Sequence, residues 1–298
     1  VQKVGYFEFA HFLNGWRGSV IEARFIRTLV LFVILTIVFG IVERCWPSIP
    51  NQPRLRRGLG TDILYWFVTP MVSQILAVIA ASIVLLPIYV LLGRLPVGIL
   101  LGKVEFSTVI NTVLGGYGPI SHIPIWQQGL ILIVIGDFLG YWTHRLNHRI
   151  PFLWNFHAVH HSAEIIDWLT AVRIHPLNDM FSKGIKIIIV MLMGFSPIAA
   201  DLYVPILSSY VAFIHANVPW HYGPCGYLIA SPAFHRWHHE MDKKAWGKNY
   251  AGLFPIFDLM FGTFFLPRNE QPKEFGIYGE TITDNFIGQM LYPFRQKS

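Results

Sequence analysis

Leu130 to His161 reads LILIVIGDFLGYWTHRLNHRIPFLWNFHAVHH, and the change of character inside it decides the fold. Its first part, Leu130 to Trp142, is apolar but for Asp137; its second part sets five histidines, His144, His148, His157, His160 and His161, within 18 residues. A stretch fit to cross a membrane runs directly into a metal-site pattern.

The pattern has a physical basis. Residues three and four apart share a face of an α-helix, so HxxxH at His144 and His148 presents two imidazoles on neighbouring turns, and HxxHH at His157, His160 and His161 presents three from one turn. A second HxxHH stands at His235, His238 and His239. With histidine at 13 of 298 positions, chance would give two such triplets in well under roughly one chain in a thousand. Ser231 and Pro232 form a cap and first-turn pair, which predicts a short helix over Ala233 to Glu240 carrying the last cluster.

Working outward along the first helix, Asp137, Tyr141, His144 and His148 recur at intervals of four, three and four and stay within about 60° of one another on one face. Asp137 lies about 10 Å below His144 along the axis. In an apolar layer a carboxylate is costly and is paired or functional. Two roles are open to it: a structural hydrogen bond to a neighbouring helix, or orientation of an imidazole. Pro151 then ends the helix, because it cannot extend the hydrogen-bond ladder.

Five further histidines lie outside the clusters. His215 closes an apolar stretch ending at Val218 and is expected as a ninth ligand rather than a core hydrogen-bonding histidine. His175, in VRIHPLND, stands between supporting the ligands and joining them. His221 is a weaker candidate, and His11 and His122 read as surface or interfacial residues. Eight or nine imidazoles exceed the needs of one ion, since zinc takes four ligands and octahedral ions six. Two metals are the simplest answer. Imidazole suits iron, zinc, copper and nickel, so the ligand type is better fixed than the element, and zinc can stand where iron works.

Composition sets the surroundings. Hydrophobic residues make up 53% of the chain and charged residues 13%, against about 25% charged in a soluble domain. The expectation is an all-α integral membrane protein of about four transmembrane helices or helical hairpins with a histidine-rich di-metal head facing the cytosol. Thr28 to Val42 reads as a short first span. Ile63 to Gly93 is 31 residues without a charge, interrupted by Pro70 and Pro87; it is longer than a ~30 Å hydrocarbon core requires, so it is one long kinked span or a tight hairpin. Ile185 to Val218, split around Gly194, Pro197 and Asp201, predicts a hairpin whose ends return to one side. The organisation is one membrane domain over 1–298: 1–127 as N-terminal segment and first spans, 128–267 as the histidine core, 268–298 as the tail.

Charge bears on sidedness and partners. If Ile63 to Gly93 crosses once, Arg44, Arg54, Arg56 and Arg57 share a side with the histidines, which makes that side cytosolic; Arg17, Arg24 and Arg27 count against this. The net charge is +6, and Lys243, Lys244 and Lys248 beside the third cluster either attract anionic headgroups or an acidic electron carrier, or are plain basic loops. No nucleic-acid partner is expected. Cys45 and Cys225 are too few for a disulfide framework and form no CxxC, so any metal is held by nitrogen and oxygen. The chain starts at Val1 with no basic, apolar and small-residue leader pattern.

The runs DFLGYWTHRLNH from Asp137, LWNFHAVHHS from Leu153, RIHPL from Arg173, FIHANV from Phe213, SPAFHRWHHE from Ser231 and NYAGLFPIFDLMFGTF from Asn249 resemble the fatty acid hydroxylase / sterol desaturase superfamily of membrane di-iron enzymes. The resemblance covers roughly Gly60 to Pro267. It implies that His144, His148, His157, His160, His161, His235, His238 and His239 are di-metal ligands, that His215 matches a further histidine found in many members, and that His175 matches a frequent HP histidine. It also implies a four-span fold, dioxygen as co-substrate and an external electron donor, either a ferredoxin-like protein or a small haem-containing cytochrome with its reductase.

The function expected is dioxygen-dependent hydroxylation or desaturation of a lipid C–H bond, in a sterol, fatty acyl chain or related lipid, at two iron ions. Tyr141, Trp142 and Trp154 are candidates to line the lipid site, or else belong to an interfacial aromatic belt. The membrane is a bacterial inner membrane or the endoplasmic reticulum. Two alternatives come from other chemistry: a di-zinc hydrolase with Glu240 as base, or a metal transporter, which would place histidines near the bilayer midplane on related half-repeats.

Overall fold

The computed structural model describes residues 19–96 and 119–295. His11 and Arg17 lie outside the described residues. Among these residues the chain is helical, with no strand and two isolated antiparallel bridges, Glu240 to Phe275 and Ile277 to Glu280. In chain order the helices are α1 (Ser19–Cys45), α2 (Leu59–Leu91), α3 (Ile125–Arg149), α4 (Pro151–His161), α5 (Pro176–Met193), α6 (Pro197–His215), α7 (Pro232–His238), α8 (Ile256–Met260) and α9 (Phe286–Leu291).

Four of them are long and apolar enough to cross a bilayer: Phe25–Cys45, Leu59–Leu91, Ile125–Arg149 and Ile198–His215. Their outer faces expose large apolar side chains in rows, such as Ile26, Val30, Val33 and Ile37 on α1 and Ile75, Ile79 and Ile83 on α2. Water would make this face costly, whereas lipid is its natural solvent. The protein is an integral membrane protein.

The stretch around Pro70 and Pro87 forms one helix rather than a hairpin, because α2 continues through both prolines. At 1.5 Å per residue its 33 residues reach about 50 Å, more than a ~30 Å core needs. The excess enters the histidine head, where Asp62 and Tyr65 on its first turns are fully buried. Farther along, Ser73, Ala77 and Ala81 of α2 are buried opposite Gly184 of α5, where an added Cβ would lie 4.0 Å from the Ala77 carbonyl. Small residues let the two backbones approach.

α5 and α6 form the expected hairpin. Gly194 ends α5 at φ 78°, a left-handed conformation glycine adopts without strain, and the Ser196 side chain caps α6 at the Ile198 N–H. At the same end, the Ser196 N–H donates to Gln128 Oε1 on α3.

The connections define two faces. The C-termini of α1, α3 and α6 and the N-termini of α2 and α5 converge on one side, together with residues 46–58, 150–175 and 216–295. Arg54, Arg56 and Arg57 therefore share a face with the histidines. Glu43, near the end of α1, accepts the Trp168 and Asn217 N–H groups and ties that helix to the head. Beneath the head runs a buried ion network. Arg173 grips Asp62 through two nitrogens at 2.5 and 2.8 Å, and Arg56 bridges Asp62 at 2.6 Å to Asp167 at 2.9 Å. Two guanidinium and two carboxylate groups balance in charge, as burial of ions demands.

Candidate metal centre

Four elements carry the nine imidazoles to one place. α3 delivers His144 and His148 from its last turns, α4 delivers His157, His160 and His161, α6 ends on His215, and α7 delivers His235 and His238 with His239 at its C-cap. Pro151 both stops α3 and starts α4, with Ile150 as the extended hinge, so the chain folds back at the right point. Ser231 accepts the Phe234 N–H and starts α7 as its sequence predicts.

The rings sort into two groups. His144, His148, His157, His161 and His238 form one, and His160, His215, His235 and His239 the other; within each, one ring nitrogen per residue lies within 4.8 Å of all the others. Nearest Nε2 pairs are 3.1 Å for His161 and His238, 3.2 Å for His148 and His238, 3.1 Å for His215 and His235 and 3.2 Å for His235 and His239. Nitrogens about 2.0–2.1 Å from a shared ion would be separated by about 3.0–4.2 Å, which is this spacing. The two groups touch, with the His161 and His239 rings stacked at 4.4 Å between centroids.

Hydrogen bonds on the outside of the cage fix which nitrogen faces inward. A carbonyl only accepts, so the Nδ1–H of His144 donates to Tyr250 O at 2.9 Å, that of His160 to Arg173 O at 3.3 Å, that of His215 to Val211 O at 2.7 Å and that of His238 to Lys248 O at 2.7 Å. His157 Nδ1 is paired with Asn178 Oδ1 at 3.1 Å. In each ring the Nε2 lone pair is left for the interior. His160 and His215 thus aim two lone pairs at each other across 3.3 Å, and the Nε2 atoms of His144 and His157 are buried without a partner. Such an arrangement is repulsive by itself and fits a cation between the rings.

Burial also keeps the rings neutral. It pushes the His157 pKa down to about 3, helped by the neighbouring His144. Burial followed by repulsion from neighbouring rings holds His160, His161, His235, His238 and His239 well below the ordinary histidine value. Neutral imidazole is the ligand form.

The other residues singled out by sequence stand outside the two groups. Asp137 reaches neither an imidazole nor a neighbouring helix: its carboxylate accepts the N–H groups of Gly252, Leu253 and Phe254 at 2.7–3.1 Å. It pins the loop whose Tyr250 carbonyl holds His144. Tyr141 is buried behind the cage, its hydroxyl sharing a hydrogen bond with Thr263 and accepting one from Arg145. His175 caps α5 by accepting the Leu177 N–H, with its other nitrogen on Met290 O. Trp142 packs on Phe261, while Trp154 lies against the His148 and His161 rings at 5.1 and 5.5 Å. His221 and His122 are exposed. The aromatic segment after Asn249 packs beneath the histidine helices, with Asp258 accepting the Tyr250 and Ala251 N–H groups.

Sequence reasoning missed Asn178 and the carbonyls of Arg173, Val211, Lys248 and Tyr250. Asn178 had a signal, as a polar residue on the first turn of a helix that starts at the HP of His175 and Pro176. A carbonyl has none, because every residue carries one.

Fold and cage together define a helical membrane protein with a paired polyhistidine site at one end of its bundle. Residues 129–263 match the family model described as fatty acid hydroxylase. The match spans all nine histidines of the two groups, and in this segment the chain is similar to the fatty acid hydroxylase family. It is 30% identical over 175 residues to the ornithine lipid hydroxylase OlsE of Rhizobium tropici, covering 58% of this chain and 52% of that protein. It is 34% identical over 174 residues to the alkylglycerol monooxygenase of Homo sapiens, covering 54% and 38%, and 29% identical over 162 residues to the very-long-chain aldehyde decarbonylase GL1-5 of Oryza sativa subsp. indica, covering 48% and 25%. The matches span about half or less of these relatives' lengths. No solved structure matches the chain.

Proposed function

We propose that the protein hydroxylates a lipid C–H bond with dioxygen at two iron ions, one in each histidine group, with desaturation as the variant outcome. The observation that carries this reading is the convergence of nine ring nitrogens in two touching groups, with the Nδ1 side of five rings tied to acceptors outside. Iron held there by neutral imidazoles would supply dioxygen activation for the oxidation of an unactivated C–H bond.

The residues of the chain do the rest. His144, His148, His157, His161 and His238 hold one ion and His160, His215, His235 and His239 the other, while zinc fits the same donors. Asn178 and the four carbonyls orient the rings. Tyr250 and Trp154 wall the cage with aromatic carbon and limit water, which protects a reactive centre. Asp137 and Tyr141 are positioning residues, acting through the 250–254 loop and Thr263. His175 anchors the start of α5, and Trp142 shapes the membrane-facing rim with Phe261.

The substrate class is a sterol, a fatty acyl chain or a related lipid, and the hydroxylase and monooxygenase names of the relatives favour hydroxylation. Electrons come from an external donor, a ferredoxin-like protein or a small haem-containing cytochrome with its reductase. The Arg54 to Arg57 face is the cytosolic one by the positive-inside rule, in a bacterial inner membrane or the endoplasmic reticulum.

Two observations weigh against the alternatives. Glu240, the base a hydrolase would use, accepts the N–H groups of Asp242, Lys273 and Glu274. The histidines lie at helix ends, away from the midplane a transporter would use. Purified protein supplied with iron, a reductant and a lipid extract should consume dioxygen and yield an oxidised lipid. Metal movement across vesicles without oxygen uptake would refute the proposal.

A further inference from the structure

Lys186 of α5 is a cation that the cage and the ion networks leave unused. Among the described residues it makes no hydrogen bond and no ion pair, although its charge acts on Asp137 and Asp179. Both carboxylates are already taken. Asp137 accepts three backbone N–H groups, and Asp179 is held by Lys183 at 2.7 Å and Ser73 at 2.5 Å. A lysine within a membrane helix hairpin is expensive unless it serves a partner or a function.

Its surroundings show where a partner would lie. Gly136, Gly140 and His144 succeed one another at four-residue intervals, so they form one strip along α3. A Cβ at Gly136 would meet nothing within 4 Å, and one at Gly140 would sit 3.4 Å from Lys186 Nζ. The strip is therefore a glycine-floored groove, with the ammonium group beside Gly140 and His144 one turn farther on. Gly140 is about 6 Å below His144 along the helix.

We infer that Lys186 binds the anionic head of a lipid, a carboxylate or a phosphate, in the groove over Gly136 and Gly140. The inference rests on the reading of the cage as a lipid-oxidising centre and adds a constraint to it: the carbon presented to the histidines lies a handful of bonds from the charged group, not at the far end of a chain. Charge-assisted hydrogen bonds to an ammonium group are strong where water is scarce.

The test is equilibrium binding to the full-length, metal-loaded protein in phosphatidylcholine nanodiscs. Hexadecanoate, hexadecyl phosphate and hexadecanol share one tail and differ in head, so the first two also separate a carboxylate from a phosphate ligand. The wild type should hold at least one anionic probe about tenfold tighter than hexadecanol, a difference that Lys186→Met reduces to within about twofold and Lys186→Arg keeps. Gly140→Val, which fills the space beside Nζ, should weaken the same probe without loss of metal. An absence of preference in the wild type, or a preference kept in Lys186→Met, would overturn the assignment. Should Lys186→Met fail to load metal, Lys186→Gln and Gly140→Val decide by the same criterion. Binding needs no turnover, so a protein that oxidised no lipid would leave this result standing.

Discussion

His238 is gripped from both sides: its Nδ1–H donates to the Lys248 carbonyl at 2.7 Å, and its Nε2 lies 3.1 Å from that of His161. The outer bond fixes the tautomer and the inner contact places the lone pair among four other rings. His238→Ala, and likewise His160→Ala in the second group, should abolish activity and release metal while the membrane helices persist. Metal analysis beside circular dichroism checks this, and full activity in either variant would contradict the ligand roles.

Asn178 should matter through His157 alone. Its Oδ1 lies 3.1 Å from the ring's Nδ1 and, among the described residues, makes the only hydrogen bond to that imidazole. Loss of such an outer partner typically weakens metal binding by about 10–100-fold. Asn178→Ala should show that loss in a chelator competition, and Asn178→Asp should recover most of it.

Asp137 should behave as a loop anchor rather than a reacting group. Asp137→Ala leaves three part-buried N–H groups at Gly252, Leu253 and Phe254 without an acceptor, a change worth about 2–4 kcal/mol. Thermal unfolding should fall accordingly, and metal affinity should weaken because the Tyr250 carbonyl is no longer held against His144. An unchanged melting temperature together with lost activity would point instead to direct chemistry at Asp137.

Asp62 ties α2 to the head. Asp62→Ala strands Arg173 and one arm of Arg56 in a site where their side chains are 2% and 1% exposed. Removing one member of a buried ion network costs about 3–5 kcal/mol. The variant should expose the head to proteolysis before the spans, and metal should leave the His160 group first, since Arg173 supplies the carbonyl that holds His160. Equal loss from both groups would separate the network from that ring.

The legibility of the sequence follows from the range of each interaction. Helical spacing is local, so the histidines that share faces in the sequence, with His215 at a span end, are the ones that converge. The length of α2 was legible too, but its course through Pro70 and Pro87 was not, because packing against α5 decides whether a proline span bends back. Asp137 and Tyr141 lie on the predicted face, yet their partners, Gly252 to Phe254 and Thr263, come from more than a hundred residues later. No local pattern announces such a partner. His175 carries the same ring as the ligands, and only its place at the start of α5 turns it toward Leu177 and Met290.

Anomalous diffraction at the iron edge from metal-replete protein tests the paired cage most directly. Two peaks are expected, one among His144, His148, His157, His161 and His238 and one among His160, His215, His235 and His239. A single peak, or none, would contradict the two-ion centre.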